Sequence, residues 1–375
     1  MSMEKVGLTY LTMDSLQEGV GASQVLSYIR KLSDDCEITL VSFEKFEPSM
    51  SLKTELQSNN ITWKPLAFGK FGPVGAISRL IRLWKLTPSH SPVHARGDLV
   101  ALVCCLKLNR RFLWDCRALM SDQRSSVDKS KYKALNFLLL RLIERVVAHR
   151  SAKINVLTKV AKLELMSRYG LSDTKFSILP TCVDLEKFRM TRIPDLEVIN
   201  ILISGTVSAA YDIELMNLII LELKKSAKVN VTIALSMGHT NKWQELYFDE
   251  VVRLQFSEMP RAVADSTIGF AIWKNNLGVA LKGVSSTKVA EFLATGRPVV
   301  VNSLQGDIGD IVGKFGVGLA TNDRSPEDIA SYAKEILKLI SNPRIELNCR
   351  DVAEKFYNLD SAVSELKGIY SLLAR

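Results

Sequence analysis

The stretch Lys282–Val301 reads KGVSSTKVAEFLATGRPVVV and predicts a loop, a short helix and a strand in succession. Ser285 or Ser286 is placed to begin the helix, because a side-chain oxygen there can accept from the free amides of the first turn. Gly296 can end the helix in the left-handed conformation, and Pro298 stops its continuation. A helix followed directly by an apolar strand is typical of a parallel α/β sheet.

The same alternation continues in both directions along the chain. Helical patterns such as Ser23–Leu32, Ala76–Leu86 and Tyr132–Val147 separate apolar runs of strand length. A helix that joins two strands in this way forms a right-handed crossover, which makes the strands parallel. The sequence therefore predicts the α/β class with Rossmann-like sheets. The predicted strands are Val6–Leu11, Ile38–Phe43, Ile61–Leu66, Val93–Ala95, Phe112–Trp114, Ile154–Leu157, Phe176–Leu179, Ile199–Ile203, Val229–Leu235, Val252–Phe256, Ile268–Trp273, Val299–Val301 and Val317–Ala320.

The length of 375 residues exceeds what one core usually holds and suits two domains. A polar stretch containing proline, residues 184–197, interrupts the pattern. We therefore expect Rossmann-like domains at residues 1–188 and 189–358, with a last helix in residues 359–375 that returns to the first domain. Two such domains facing each other across a cleft bring the carboxyl ends of both sheets together, where open α/β sheets bind ligands.

The charge of the chain is unevenly distributed. The net charge is +9, from 49 Lys and Arg against 40 Asp and Glu. Residues 1–190 hold 29 basic and 18 acidic residues (+11), whereas residues 191–375 hold 20 and 22 (−2). The excess favours an anionic partner for the first domain, such as a membrane surface, a lipid phosphate or nucleic acid. Nucleic acid is the weakest of these, because no aromatic-rich basic strand or known binding module is present.

Metal sites, disulfides and membrane spans are not indicated. The six cysteines form no C-x-x-C pair, and reduced thiols are expected. None of the four histidines has metal-ligand spacing, so packing or capping is the expected role of each. No apolar run approaches the roughly 18 residues that a membrane span needs, and the short apolar run after Met1–Lys5 does not resemble a signal core. A cytoplasmic location is expected.

Three loops after strands carry residues suited to ligand binding. In the first, Gly19 and Gly21 precede a helix, which allows either a tight turn or close approach of a phosphate or sugar oxygen. In the second, Asp115–Arg124 contains two acids and two arginines, which predicts either mutual salt bridges or a clamp on a ligand.

The third loop precedes the helix of the quoted stretch. Lys288 and the exposed amides of the first turn are suited to a diphosphate, and Glu291 is suited to a ribose diol. The alternative is an i,i+3 ion pair between Lys288 and Glu291 on a solvated face.

Four segments, taken in order over nearly the whole chain, resemble the GT-B glycosyltransferases of the family 4 type. They are Gly19–Leu26 with Leu40–Lys45, Asp115–Arg124, Leu179–Asp184 with Phe188, and Ser286–Asp307. The resemblance implies transfer of a sugar, with retention of anomeric configuration, from a nucleotide-sugar donor to a glycan or lipid-linked acceptor. It also implies a C-terminal donor-binding domain, an N-terminal acceptor-binding domain, no cofactor and no metal. A role in cell-surface polysaccharide biosynthesis, on the inner face of the membrane, fits these expectations.

The predicted roles of individual residues follow from the resemblance and from their positions after strands. Asp115 is expected to orient the acceptor or to stabilise an oxocarbenium-like transition state, and Arg117 and Lys288 are the other expected catalytic residues. Gln24, Arg96 and Asp122 are the expected acceptor-binding residues. The expected donor-binding residues are Gly21, Gly205, Thr206, Tyr211, Lys282, Ser286, Thr287, Lys288 and Glu291.

Two departures from the family pattern are present. Glu291 matches the second acid of the E-x7-E motif, but Gly283 occupies the position of the first. The loop after Ile203 also lacks the Arg/Lys pair that many members place on the diphosphate, so we expect Lys282 and Lys288 to supply that charge.

Two alternatives stay open. A nucleotide-sugar 2-epimerase shares the fold and the donor but needs no acceptor. A degenerate partner subunit would keep the fold and use its basic face for docking, which Gly283 favours and Lys288 with Glu291 oppose.

One basic helix is predicted between Tyr132 and Val147, after Lys129, Lys131 and Lys133. Its broad apolar face is expected to pack on the sheet, as the face of a crossover helix does. Its lysines, with Arg79, Arg82 and Lys85 of another helix, are suited to anionic lipid headgroups.

Overall fold

A computed structural model describes residues 5–128, 130–194, 196–205, 210–236 and 245–374. The chain forms two compact units, one of Met1–Leu179 with Asp360–Arg375 and one of Pro180–Leu359. We call them the first and the second unit.

The first unit is built on a parallel sheet of seven strands in the order β3-β2-β1-β4-β5-β6-β7. Its strands are β1 (Val6–Leu11), β2 (Cys36–Glu44), β3 (Ile61–Ala67), β4 (Val93–Arg96), β5 (Phe112–Cys116), β6 (Lys153–Val156) and β7 (Phe176–Ile178). Its helices are α1 (Ser27–Leu32), α2 (Met50–Ser58), α3 (Gly72–Leu86), α4 (Asp98–Leu106), α5 (Met120–Val127), α6 (Lys133–Arg150) and α7 (Lys159–Tyr169). A π-helical turn, Gly21–Leu26, leads into α1.

The second unit is built on a parallel sheet of six strands in the order β10-β9-β8-β11-β12-β13. Its strands are β8 (Ile199–Ser204), β9 (Val229–Ser236), β10 (Glu250–Leu254), β11 (Ile268–Ala271), β12 (Val299–Asn302) and β13 (Gly318–Thr321). Its helices are α8 (Ile213–Leu223), α9 (Met259–Ala264), α10 (Thr287–Ala294), α11 (Ile308–Phe315), α12 (Pro326–Ile340) and α13 (Ile345–Phe356). The 3-10 segment Asn275–Gly283 precedes α10.

The α/β class is confirmed, and a strand lies at each of the thirteen predicted runs. The reason is the burial that parallel sheets impose: helices cover both faces, so central strands are apolar on both sides. In β5, Phe112, Leu113 and Trp114 are all fully buried. Because every strand is parallel, the polar residues that end them lie at one edge of each sheet.

Helix α14 (Leu359–Ala374) packs mostly within the first unit. Lys31 of α1 pairs with Asp360 at 2.5 Å, and Lys367 pairs with Asp35. The Tyr370 side chain is fully buried and contacts His94 of β4. The last helix therefore contributes a side chain to the polar edge of the first sheet.

One prediction about α6 is wrong. The leucines in its amino-terminal half do not pack on the sheet: Leu135, Leu138, Leu139 and Leu142 are each more than half exposed. Only the carboxyl-terminal half is anchored, through Val147 and Ala148. Helix α6 packs mainly against α4 and α5, and this packing leaves these leucines exposed. No helix within the described ranges is long and apolar enough to cross a membrane.

Arg297, between α10 and β12, anchors the polar stretch after Phe188 to the second unit. The side chain is fully buried, and burial lowers the pKa of its guanidinium to about 10. It donates hydrogen bonds of 2.6–3.0 Å to the carbonyl oxygens of Thr191, Arg192, Ala264, Ser266 and Thr295 and to the Thr191 hydroxyl. One side chain thus satisfies acceptors from three separate segments.

Replacing Arg297 by Met should lower the free energy of unfolding of the second unit by about 3 kcal/mol or more, because several buried acceptors lose their donor. Chemical denaturation measures this loss. The matched control is Arg261→Met on α9, whose side chain is 91% exposed and which should change stability by less than about 0.5 kcal/mol. Equal stabilities of the two variants would contradict this account of Arg297.

Candidate functional site

Asp115, at the end of β5, is the centre of a polar cluster in the first unit. Its carboxylate lies 3.2 Å from His94 Nε2 and 3.3 Å from Arg96 Nη1. Arg117 Nη1 lies 3.5 Å away, and the Asn155 amide donates to it at 2.7 Å. We call Asp115 and these four side chains the Asp115 cluster. They come from the ends of β4, β5 and β6, which are neighbours in the sheet.

The Asp115 carboxylate is ionised although it is only 1% exposed. Burial opposes its charge, but Arg117, His94 and Arg96 outweigh that cost and hold the pKa of Asp115 well below its usual range. Arg96 is itself held by Asp14, whose Oδ2 lies 2.8 Å from its Nε. The salt bridges expected within Asp115–Arg124 are therefore formed at Asp115, and they leave a fixed negative charge at the sheet edge.

His94 connects the cluster to the last helix. Burial lowers the pKa of His94, and Asp115 only partly offsets this, so the ring is neutral at pH 7. Since an ionised carboxylate only accepts, the ring proton lies on Nε2 facing Asp115. Nδ1 then accepts from the Tyr370 hydroxyl at 2.7 Å, and burial keeps the pKa of that phenol well above its usual value. The Tyr10 ring stacks on His94 at 4.1 Å between centroids.

The glycine loop is held against this edge by a second buried carboxylate. Glu44, at the end of β2, accepts from the Ser15 hydroxyl at 2.8 Å and from the Leu16 amide at 3.1 Å. The fixed loop approaches so closely that a Cβ on Gly21 would lie 1.8 Å from the Ser15 carbonyl oxygen. Gly21 therefore serves this close contact and begins the turn that carries Gln24. The buried Gln24 side chain reaches Arg117 Nη2 at 3.4 Å.

A cavity of about 10 Å³ lies at the cluster, enough for one water molecule or one hydroxyl group. Its lining residues are Tyr10, Gln24, Tyr28, His94, Arg96, Asp115, Arg117, Asn155, Leu179 and Leu366. The guanidinium groups of Arg96 and Arg117 and the carboxylate of Asp115 thus face a space that is large enough for one hydroxyl group.

Asp122 lies outside that group. Its carboxylate pairs with Arg141 at 2.9 Å and with Arg168 at 3.0 Å. Arg168 also pairs with the buried Glu144 at 2.6 Å. The Asp122 side chain therefore joins α5 to α6 and α7 and does not line the cavity.

In the second unit, the first turn of α10 carries the predicted donor residues. Lys288 Nζ donates to the Tyr211 hydroxyl, and it lies 4.7 Å from the centroid of that ring. The lysine passes so close to the end of β8 that a Cβ on Gly205 would lie 2.7 Å from Lys288 Cε. Gly205 also has a positive φ of 77°, which favours glycine. Lys288, Tyr211 and Gly205, three of the expected donor-binding residues, therefore lie in contact with one another.

Glu291 lies one turn further along α10 and is 5% exposed. Burial raises the pKa of its carboxyl to about 8, against a smaller opposing effect of Lys288. The alternative of an i,i+3 ion pair is not formed, since no salt bridge joins Lys288 and Glu291 in the described part of the chain. Unlike Asp115, the Glu291 carboxyl is buried without an ion pair among the described residues, and Lys288 is the cation that acts on it.

The remaining predicted residues occupy the same end of α10. Ser286 is the N-cap residue, and Thr287 begins the helix. The preceding Ser285 is bound by Thr181, whose hydroxyl donates to the Ser285 carbonyl at 2.9 Å. Lys282 is exposed in the 3-10 segment before it, and Thr206 lies outside the described residues. Within the described ranges, no group of three or more His, Cys, Asp or Glu side chains is arranged to hold a metal ion.

Comparison with solved structures identifies the fold. A sucrose-phosphate synthase from Thermosynechococcus elongatus superposes with a TM-score of 0.73 at 11% identity, over 98% of this chain and 99% of that one. Anabaena HepE in complex with UDP and glucose gives 0.69 at 12%, over 98% and 100%. WaaG, a glycosyltransferase involved in lipopolysaccharide biosynthesis, gives 0.67 at 11%, over 97% and 99%. The chain has the GT-B fold. No family profile and no curated protein matches the sequence.

Sequence reasoning missed part of the Asp115 cluster. Asn155 and His94 are polar residues inside apolar strand runs, and that position at a sheet edge was an available signal. Asp14 lies three residues after the end of β1, in the loop at the same sheet edge. Tyr370 had no such signal, because its role depends on a contact across 276 residues of sequence.

Glu291→Gln should make the second unit less sensitive to alkaline pH. The folded state holds a proton up to about pH 8 that the unfolded chain releases near 4.5. Stability from this group is therefore full below pH 4.5 and is lost as pH rises through 8. The amide removes this loss, and we expect the fall in unfolding free energy between pH 5 and 8 to shrink by about 3 kcal/mol.

Hydrogen–deuterium exchange of the backbone amides of β12, corrected for the intrinsic exchange rate at each pH, measures the unfolding free energy of the second unit. Glu327→Gln, at an exposed position on α12, is the matched control and should leave the pH dependence unchanged. The same pH dependence in Glu291→Gln and wild type would overturn the account of Glu291.

Tyr370→Phe should destabilise the first unit by about 1–2 kcal/mol, because His94 Nδ1 loses its buried donor. Tyr132→Phe, at an exposed residue before α6, should have almost no effect. Denaturant titration of both variants measures the difference, and a Tyr370→Phe protein as stable as Tyr132→Phe would show that this hydrogen bond contributes nothing.

Proposed function

We propose that this chain is a glycosyltransferase that moves a sugar from a nucleotide-sugar donor to a glycan or lipid-linked acceptor. The donor is assigned to the second unit and the acceptor to the first. The reaction retains the anomeric configuration and needs no metal ion. The observation that carries the proposal is the start of α10, where the cation of Lys288 in the first turn and the buried carboxyl of Glu291 one turn further on lie on neighbouring positions of the helix.

The donor assignment rests on charge and hydrogen bonding. A diphosphate needs cations and amide donors, which Lys288 and the free amides at the start of α10 supply. A buried carboxyl with a raised pKa gains from a ligand whose hydroxyls donate to it, as a ribose diol does. Anabaena HepE, of the same fold, was solved with UDP and glucose, which supports a nucleoside diphosphate as the anchor.

The acceptor assignment rests on the Asp115 cluster. Its cavity has room for one hydroxyl, between a fixed carboxylate and the guanidinium groups of Arg96 and Arg117. Asp115 orients that hydroxyl or stabilises positive charge that develops on the sugar as the donor bond breaks. Arg117, with the more exposed guanidinium, neutralises anionic groups of the acceptor, and Gln24 and Arg96 hold it in position.

The leaving diphosphate is stabilised by the protein itself in this proposal. Lys288 donates to it as the negative charge of the departing oxygen grows, with Lys282 as the second cation. A cytoplasmic location and a role in cell-surface polysaccharide biosynthesis belong to the same proposal. The biosynthetic role is supported by the likeness to WaaG, which is involved in lipopolysaccharide biosynthesis.

Calorimetric titration with UDP, GDP and ADP tests the donor site. Lys288→Ala should weaken binding of the preferred nucleotide by about 10- to 100-fold, the loss expected for one charge-assisted contact to a phosphate. The matched control is Lys334→Ala, at an exposed position of α12, which should bind as wild type. Unchanged affinity in Lys288→Ala would remove Lys288 from the donor site.

The same titrations, together with incubation of the protein with a nucleotide sugar, separate the glycosyltransferase from the epimerase and from the degenerate subunit. Isomerisation of a nucleotide sugar in the absence of any acceptor would identify an epimerase. Absence of binding to all three nucleotides would favour a degenerate partner subunit, which the glycine at position 283 in place of an acid already favours.

A further inference from the structure

Helix α3 turns its apolar side chains away from the first unit. Ile77, Ile81 and Trp84 are 57%, 53% and 45% exposed, and Phe71 and Val74 before them are 78% and 77% exposed. The spacing of three and four residues places all five on one face of the helix. A helix on a soluble surface normally buries this face.

The opposite face of α3 explains this orientation. It consists of Gly75, Arg79 and Leu83, which are buried. The Arg79 guanidinium donates to the carbonyl oxygens of Phe68 and Lys70 at 3.1 and 2.9 Å, and lies 4.0 Å from the centroid of the Phe68 ring. A side chain on Gly75 would lie 1.8 Å from the Lys70 carbonyl oxygen. Rotating the helix to bury its apolar face would therefore break both hydrogen bonds of Arg79 and bring a larger side chain to the close contact that Gly75 makes.

Two further helices extend this surface. Helix α4 packs against both α3 and α6, so the three form one layer on the sheet. On α6, Leu135, Leu138, Leu139 and Leu142 are 55–64% exposed, again on one face. At the end of α4, Leu106 and Leu108 are 64% and 70% exposed. We call this layer, α3 with α4 and α6, the outer layer.

The charge of the outer layer is strongly positive. Residues 59–114, which include α3 and α4, hold nine basic residues, of which Arg79 and Arg96 are buried, and one acid, the buried Asp98. Residues 18–58, which include α1 and α2, hold four basic residues and seven acids. The basic side chains of residues 59–114 are Lys64, Lys70, Arg79, Arg82, Lys85, Arg96, Lys107, Arg110 and Arg111.

Apolar and basic side chains are interleaved on this layer. Lys107 Nζ lies 3.9 Å from the centroid of the Trp84 ring, and Lys85 follows Trp84 directly. Aliphatic and indole groups favour the boundary between headgroups and acyl chains, whereas lysine and arginine reach the headgroup phosphates. A second copy of this face would bring like charges together, and a nucleic acid would leave the apolar side chains uncovered.

We propose that the outer layer is a docking surface for an anionic lipid bilayer. Helix α3 lies along the bilayer with Phe71, Val74, Ile77, Ile81 and Trp84 inserted to the depth of the upper acyl chains. Lys70, Lys85 and Lys107 contact the headgroups.

This orientation suits the substrate class, in a step that rests on the proposed function. Helix α3 begins at the carboxyl end of β3, the sheet edge that also holds the Asp115 cluster. A bilayer along α3 therefore comes close to that edge, and the acceptor that fits it is lipid-linked, with its polar head at Asp115 and its chain in the bilayer.

Vesicle co-sedimentation of the full chain tests the surface. The probes are vesicles of phosphatidylcholine and phosphatidylglycerol in equal parts and vesicles of phosphatidylcholine alone, at low and at high salt. We expect binding to the mixed vesicles that weakens at high salt as the charges are screened. The double variant Ile77→Asp with Ile81→Asp should lower the partition coefficient more than tenfold, and Lys70→Gln with Lys85→Gln by about 25-fold, or about fivefold per charge.

Matched controls place the same kinds of substitution, apolar to Asp and Lys to Gln, on a helix outside the outer layer. Met50→Asp and Lys53→Gln alter exposed residues of α2 and should bind vesicles as wild type. Circular dichroism and denaturant titration establish that the first unit of every variant is folded, and nucleotide titration reports separately on the proposed donor site of the second unit. Retained nucleotide binding without vesicle binding would overturn the docking surface and leave the proposed function standing.

Two other outcomes would also overturn it. Binding to mixed vesicles that Ile77→Asp with Ile81→Asp leaves unchanged would place the contact elsewhere. A dimer in solution that the same variant converts to a monomer, with no vesicle binding by either protein, would assign the outer layer to a second copy of the chain.

Discussion

The free energy needed to bury a carboxylate is the constraint on which both sites depend. In the first unit that cost is met within the protein, because Arg96, Arg117 and His94 surround Asp115 and keep it charged. In the second unit it is not met, and the carboxyl of Glu291 has a pKa of about 8. The first arrangement is a fixed charge that acts on whatever enters the cavity. In the second arrangement the carboxyl binds a proton instead, because burial disfavours its charged form.

The sheet order determines which groups reach Asp115. Strands β4, β5 and β6 are neighbours although helices separate them in sequence, so residues some twenty and forty positions apart end at one edge. Parallel pairing gives every strand the same direction, which gathers their polar ends. The hydroxyl of Tyr370 then completes the hydrogen bonds of His94 from the far end of the chain. The last helix is therefore part of the site and also part of the core.

The outer layer shows the same competition between polar and apolar burial. Arg79 occupies the inner face of α3 because the carbonyl oxygens of Phe68 and Lys70 need a donor there. In the orientation in which Arg79 donates to these carbonyl oxygens, the side chains of Ile77, Ile81 and Trp84 are exposed to solvent. The hydrogen bonds of one guanidinium and the burial of one isoleucine are each worth about 2 kcal/mol, so the sequence alone does not decide between the two orientations. The exposed face that results is basic as well as apolar, which suits a bilayer.

Periodicity in the sequence determined the α/β class and the thirteen strands, because central parallel strands must be apolar on both faces. The resemblance to the GT-B family, and not periodicity, assigned Gly205, Tyr211 and Lys288 to one predicted donor site, and the structure shows that the three residues lie in contact. Tertiary structure decided the rest. The burial of Glu291, the apolar-out orientation of α3 and the hydrogen bond from Tyr370 to His94 each depend on which distant groups meet, and local sequence carries no information about that meeting.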